Sequence, residues 1–96
     1  MRVRYAQRAK ADLREIFSFI SKDSPAAARR VCQEIREVAE RAGRRPGDGM
    51  RNPKAPNVRS LLVSRYQYRV HYEIRGDEVW IVHIRHTARR PYEPET

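Results

Sequence analysis

The chain has 96 residues, enough for one domain around a single modest core, and no run approaches the roughly 18 apolar residues of a membrane span. Apolar residues make up 40% and charged residues 34%, with a formal net charge of +9, so the balance points to an acidic partner, either nucleic acid or an acidic protein. The single cysteine, Cys32, excludes an internal disulfide and a Cys-based zinc site, and the opening Met1-Arg2-Val3-Arg4-Tyr5 lacks an apolar signal segment, so the expected location is the cytoplasm.

Residues 2–5 alternate Arg-Val-Arg-Tyr and predict a short first strand. A helix follows, because Ala9, Leu13, Ile16, Phe17 and Ile20 form one stripe of a 3.6-residue period. Asp23-Ser24-Pro25 breaks the chain and restarts it. Ser24 suits an N-cap, and Pro25 suits the first helical position, where its missing N–H costs nothing. The second helix is predicted over 25–42, with Ala28, Val31, Ile35, Val38, Ala39 and Ala42 on its apolar face and Gly43 as its C-terminal cap. Two amphipathic helices joined by a short break predict a helical hairpin. Residues 43–57, rich in proline and glycine, read as a flexible loop carrying Arg44, Arg45, Arg51 and Lys54.

Three strand-like runs close the chain, at 58–63, 66–74 and 79–86. In the middle run Tyr66, Tyr68, Val70, Tyr72 and Ile74 share one face, while Gln67, Arg69, His71 and Glu73 share the other, which should be wet. The last run places Trp80, Val82 and Ile84 opposite in sense to Val79, Ile81, His83 and Arg85. Two signals conflict at the hairpin. Gly76-Asp77 suits a two-residue turn, which pairs Tyr72 with Ile81 and Val70 with His83. Matching apolar faces instead pairs Tyr72 with Trp80 and Val70 with Val82. We favour the face-matched register and expect an odd loop or a bulge. The tail, about 88–96, is expected to be loosely held. The whole is a single α+β domain, β-α-α-β-β-β, with a helical hairpin on one face of a small, mostly antiparallel sheet.

No metal pattern is present: the histidines are at 71, 83 and 86, and His83 and His86 fall on opposite strand faces. No cofactor motif is present either. What remains is a basic cluster. Arg69 and His71 lie on the polar face of the middle strand, with His83 and Arg85 from its neighbour. Lys54 and Arg59 approach from the loop and the preceding strand, and His86, Arg89, Arg90 and Tyr92 follow. Such cations neutralise phosphates. With His or Tyr moving protons and Arg stabilising phosphorus-centred charge, they also suit a metal-independent nuclease. A polar sheet face needs polar residues in any case, and His71 taken alone reads that way. His86 reads as a hydrogen-bonded histidine closing the strand. A plain nucleic-acid-binding module ranks lower, because the tyrosines sit mostly at apolar-face positions rather than as stacking platforms.

Several segments, in order, carry a resemblance: Ala9-Lys10-Ala11-Asp12-Leu13-Arg14-Glu15-Ile16, Ser24-Pro25-Ala26-Ala27-Ala28, Pro46-Gly47-Asp48-Gly49, Val58-Arg59, Tyr68-Arg69-Val70-His71-Tyr72-Glu73-Ile74 and Ile84-Arg85-His86-Thr87-Ala88-Arg89. Together they resemble the RelE/ParE superfamily of toxins from type II toxin–antitoxin modules, over nearly the whole chain. The resemblance implies one of two activities. ParE-like members inhibit DNA gyrase; RelE-like members are ribosome-dependent mRNA endoribonucleases. The helical hairpin opened by Ser-Pro-Ala-Ala-Ala and the ending His86-x-x-Arg89 look closer to ParE. For the gyrase reading, the candidate target-binding residues are Arg59, Arg69, His71, His83, Arg85, His86 and Arg89. For the ribonuclease reading, the candidate catalytic set is Arg69, His86, Arg85, Lys54 and Tyr92. Either implies a cognate ParD-like antitoxin, for which Leu13, Phe17, Phe19 and Val31 are the candidate contacts.

Overall fold

The computed structural model describes residues 1–88. The element order is β1 (Arg2–Tyr5), α1 (Gln7–Ser21), α2 (Pro25–Arg44), a 3-10 turn (Pro46–Asp48), β2 (Met50–Asn52), β3 (Ala55–Val63), β4 (Tyr68–Arg75) and β5 (Glu78–His86). The predicted β-α-α-β-β-β order therefore holds, with one short strand added. The five strands lie in the order β1-β5-β4-β3-β2, antiparallel except for the β1–β5 pair. Among the described residues no helix is long and apolar enough to cross a membrane.

Both helices lay their apolar stripes on the same side of the sheet. Ala9 and Ile16 of α1 and Val31, Cys32, Ile35, Ala39 and Ala42 of α2 meet Leu61, Val63, Val70, Tyr72, Val79, Ile81 and Ile84 in one core. Burying each large apolar side chain there contributes about 1.5–3 kcal/mol. Ser24 caps α2 as its sequence predicts: its hydroxyl accepts from the Ala27 N–H at 3.1 Å, and Pro25 opens the helix. Cys32 packs as a small buried side chain.

Gly43 is not the cap of α2. The helix continues through it to Arg44, and Gly43 is buried where the N-terminus crosses. A Cβ there would stand 2.6 Å from Val3 Cγ2 and 2.8 Å from the Met1 carbonyl oxygen, while the Met1 ammonium donates to the Gly43 carbonyl at 2.8 Å. Close approach, rather than chain reversal, is what requires glycine here.

Residues 43–57 are not an irregular loop either. The 3-10 turn and β2 occupy much of the segment, and β3 begins at Ala55. The segment has its own anchors. The Tyr72 hydroxyl donates to the Pro46 carbonyl at 2.6 Å and accepts from the Gly49 N–H at 2.9 Å. Arg59 Nη1 donates to the Gly49 carbonyl at 2.9 Å, and the Asn52 side chain accepts from the Lys54 N–H at 2.9 Å. The prolines fall where no ladder donor is needed: Pro46 opens the 3-10 turn, Pro53 lies in the turn between β2 and β3, and Pro56 precedes the pairing of β3 with β4, which begins at Val58.

The hairpin corrects the favoured register. Arg75 pairs with Glu78, leaving Gly76-Asp77 as a two-residue turn, and Tyr72 pairs with Ile81 rather than Trp80. Gly76 has φ +60, which glycine adopts without strain. The expected bulge does occur, but inside the strand. His71 pairs with His83 and Val70 with Ile84, so Val82 is the extra residue of β5. The reason lies in the spacing of the buried residues. Val79 and Ile81 are two apart and share a face, but Ile84 is three further on. One inserted residue returns Ile84 to the core side. Val79 and Ile81, expected to share a face with His83 and Arg85, therefore belong to the core, and Trp80 does not. Trp80 instead carries the guanidiniums of Arg4 and Arg75 near its ring, at 5.7 and 4.9 Å from the ring centroid.

Candidate functional site

The bulge has a direct effect on the outer face of the sheet, the side away from the helices. Alternation from the buried Val70, Tyr72 and Ile84 turns Arg69, His71, His83 and Arg85 outward. The register then sets Arg69 directly opposite Arg85, and His71 opposite both His83 and Ser60. The anchored segment 50–54 forms a wall beside them. Met50, Arg51, Asn52, Pro53, Lys54, Ser60, Arg69, His71 and Arg85 enclose an open pocket of about 270 Å³.

The electrostatics of this pocket are one-sided. Arg69 Nη1 donates to the Ser60 hydroxyl at 3.0 Å, and Arg85 Nη1 donates to the His86 carbonyl at 3.3 Å. Burial and the neighbouring Arg69 charge both lower the Arg85 pKa. His71 was expected on a wet face, yet it is 3% exposed, because segment 50–54 and its strand neighbours close over it. Its pKa falls from 6.5 to about 3. Desolvation is the main cause, followed by the charges of His83, Arg85, Arg69 and Arg8. His71 is therefore neutral at pH 7, with its ring stacked on His83 at 5.7 Å and 22°.

His83 is held from the other direction. β1 pairs with β5 only as far as Ile81, and beyond it Asp12 of α1 meets the strand edge. One Asp12 carboxylate oxygen lies 2.7 Å from His83 Nδ1 and accepts from the Ile84 N–H at 2.9 Å. Asp12 thus satisfies an edge amide and fixes the His83 ring.

Of the sequence candidates, Lys54, Arg69, His71 and Arg85 are brought together. Arg59 is not. It pairs with Tyr72, so it faces the helix side, where it binds the carbonyls of the 47–49 segment. His86 also lies on the helix side. Its ring meets Tyr68 edge-on at 5.2 Å, and its Nδ1 accepts from the Ala88 N–H at 3.1 Å, the strand-closing role read from its position. Arg89, Arg90 and Tyr92 lie outside the described residues. Sequence reasoning missed Ser60, although alternation along 58–63 would have placed it on the outer face. It also missed Asp12 and Arg8 as neighbours of this face, since a helix-to-strand-edge contact leaves no periodic signal. Among the described residues no group of His, Cys, Asp and Glu gathers in a way that would hold a metal ion.

The apolar candidates separate as well. Leu13 and Phe17 line a cavity of about 300 Å³ at the helical hairpin, with Arg14, Ser18, Cys32 and Arg36. Phe17 is 39% exposed and Phe19 68%. Phe19 turns elsewhere, toward a pocket with Asp12, Glu15, Ile16, Tyr68, Ile84 and His86. Val31 is 5% exposed and belongs to the core, so it presents no surface to a partner.

Known proteins give the arrangement a context. A solved structure described as the chromosomal ParDE TA system from P. aeruginosa is similar at 26% sequence identity with a TM-score of 0.75, covering 88% of this chain and 92% of that chain. No curated protein sequence matches. The model of the ParE toxin family of type II toxin–antitoxin systems, parDE, matches residues 3–91. The chain belongs to the ParE toxin family.

Proposed function

We propose that this ParE-type toxin inhibits DNA gyrase in the cytoplasm and is neutralised by a cognate antitoxin. The observation that carries this reading is the family match over residues 3–91. The outer face supports it from the chemical side. A ribonuclease needs a group that exchanges protons near pH 7, beside its phosphate-binding cations. His71 is buried and neutral, His83 does not line the pocket that holds Arg69 and Arg85, and His86 lies on the opposite side of the sheet from those two arginines. The antitoxin reading draws on the half-exposed Leu13 and Phe17 beside Arg14 and Arg36, an apolar seat rimmed by cations that suits an amphipathic acidic segment. Favouring the second reading, a ribosome-dependent endoribonuclease, is the convergence of Lys54, Arg69 and Arg85 on one pocket.

Expression of the chain alone in a bacterial host separates the two. Gyrase inhibition predicts growth arrest with DNA breaks, an SOS response, filamentation and intact mRNA. Rapid codon-dependent mRNA cleavage without DNA damage would replace it with the ribonuclease, and folded protein without arrest would refute both. Co-expression of a ParD-like antitoxin should restore growth, and Phe17→Asp should weaken that rescue.

A further inference from the structure

We propose that the cleft beside Trp80, at the sheet edge formed by β1, is the surface through which the toxin grips its protein target, and that it takes a segment bearing a carboxylate next to an apolar side chain. The inference rests on the gyrase reading for the target being a protein.

The register of the last hairpin leaves Trp80, the one tryptophan of the chain, on the outer face, paired with Arg4 of β1 and Glu73 of β4. Its neighbours hold it there. The Arg4 and Arg75 guanidiniums lie over the ring, and each is fixed in turn by a carboxylate: Arg4 Nε donates to Glu78 at 3.0 Å, and Arg75 Nε donates to Glu73. The indole N–H donates to the other Glu78 oxygen at 3.3 Å. Ring and guanidiniums are therefore ordered before any partner arrives, so docking against them loses little side-chain entropy. Tryptophan, tyrosine and arginine are also the residues that dominate binding energy at protein interfaces.

Beside the ring lies a cleft of about 500 Å³, whose lining includes Val3, Arg4, Tyr5, Lys10 and Trp80. Val3, Tyr5 and the indole supply apolar surface. Arg4 and Lys10, both exposed, supply charge of one sign, and among the described residues none that lines the cleft is acidic. The start of α1 at Gln7 also borders it. That helix has no acidic residue in its first turn and no side-chain cap, so its partial positive charge adds to theirs. A carboxylate is drawn to this end of the cleft, while the apolar wall receives the side chain beside it. A nucleic-acid strand would need the indole face for stacking, and the two guanidiniums already lie over it.

The test is inhibition of gyrase supercoiling by the purified full chain and by Trp80→Ala, Lys10→Glu and Arg30→Glu, each checked for folding by its thermal melt. Lys10 and Arg30 are exposed, so their substitution should move Tm by no more than about 3 °C. Trp80→Ala should raise the half-inhibiting toxin concentration about thirtyfold, and Lys10→Glu about tenfold. Arg30→Glu makes the same charge change on α2, away from the cleft, and should inhibit like wild type. Lys10→Glu carries the comparison if Trp80→Ala does not fold. A wild-type chain without effect on gyrase removes the gyrase reading and this surface with it. An inhibiting wild type whose folded Trp80→Ala and Lys10→Glu variants inhibit equally well overturns this surface alone. Full inhibition with lost binding of a ParD-like antitoxin would give the cleft to the antitoxin, and full inhibition with lost binding of plasmid DNA would give it to nucleic acid; either result overturns the proposal.

Discussion

Val70 and Tyr72 are fully buried under the helices, while Arg69 and His71, their immediate neighbours in β4, line a basic pocket on the other side of the same strand. The helix-side face is complete in itself: its large side chains contact one another, and the Tyr72 hydroxyl finds both a donor and an acceptor. The outer face gathers Arg51, Lys54, Arg69 and Arg85 and buries a histidine in its neutral form. One face holds the fold together, and the other gathers charge.

Substitutions on the two faces should therefore behave differently. The largest loss is expected at Ile35, fully buried at the centre of α2. Ile35→Ala should cost about 2–5 kcal/mol in denaturant unfolding. A cost below 1 kcal/mol would mean that the helical hairpin is not packed on the sheet as described.

Acid should act mainly through the outer face. Below pH 6.5 the unfolded chain takes up a proton at His71 that the folded chain resists until about pH 3. Stability should fall as pH drops through that window, with His71 contributing up to about 1.4 kcal/mol per pH unit. In His71→Gln this part of the slope should vanish, even if the substitution lowers stability at neutral pH. Denaturant midpoints measured between pH 7 and 4 give the comparison, and parallel curves for the two proteins would contradict the assignment.

Tyr72→Phe joins the two faces. It strands the Gly49 N–H and frees the Pro46 carbonyl, at a cost of about 1–3 kcal/mol. It should also loosen the segment that supplies Met50, Arg51 and Lys54 to the outer pocket, read as faster amide hydrogen exchange over 49–54. Gly49→Ala should reproduce both effects, since its Cβ would collide with the Tyr72 hydroxyl. The smallest effect is expected at Arg85→Gln, a gain of a few tenths of a kcal/mol at low salt that fades as salt is added. A loss that salt does not change would indicate that Arg85 acts through packing alone.

The helix-side face was legible in the sequence because its signals repeat. The 3.6-residue stripes of α1 and α2 and the alternation at Val70 and Tyr72 each report burial several times over. Ser24-Pro25 marked the start of α2 through local chemistry. The register of β4 and β5 was harder to read, because two valid rules disagreed and one inserted residue, Val82, satisfied both. Gly43 was misread because its constraint comes from Met1 and Val3, distant in sequence. The outer site was half legible. Arg69, His71 and Arg85 followed from alternation, and Lys54 from its loop. Arg59 went to the wrong face, because Tyr72 and the 47–49 carbonyls claim it. Val31 stands on the apolar stripe of α2, and stripe position alone does not separate a core residue from a partner contact; the sheet buries it.

The central claim is that this fold acts as a gyrase-directed toxin. The most direct test adds the purified chain to DNA gyrase, plasmid DNA and ATP, and follows supercoiling and double-strand cleavage with and without a ParD-like antitoxin. The account predicts loss of supercoiling with accumulation of cleaved plasmid, reversed by the antitoxin. Unaltered gyrase activity in the presence of excess folded toxin, with mRNA cleaved on translating ribosomes in a parallel reaction, would contradict it.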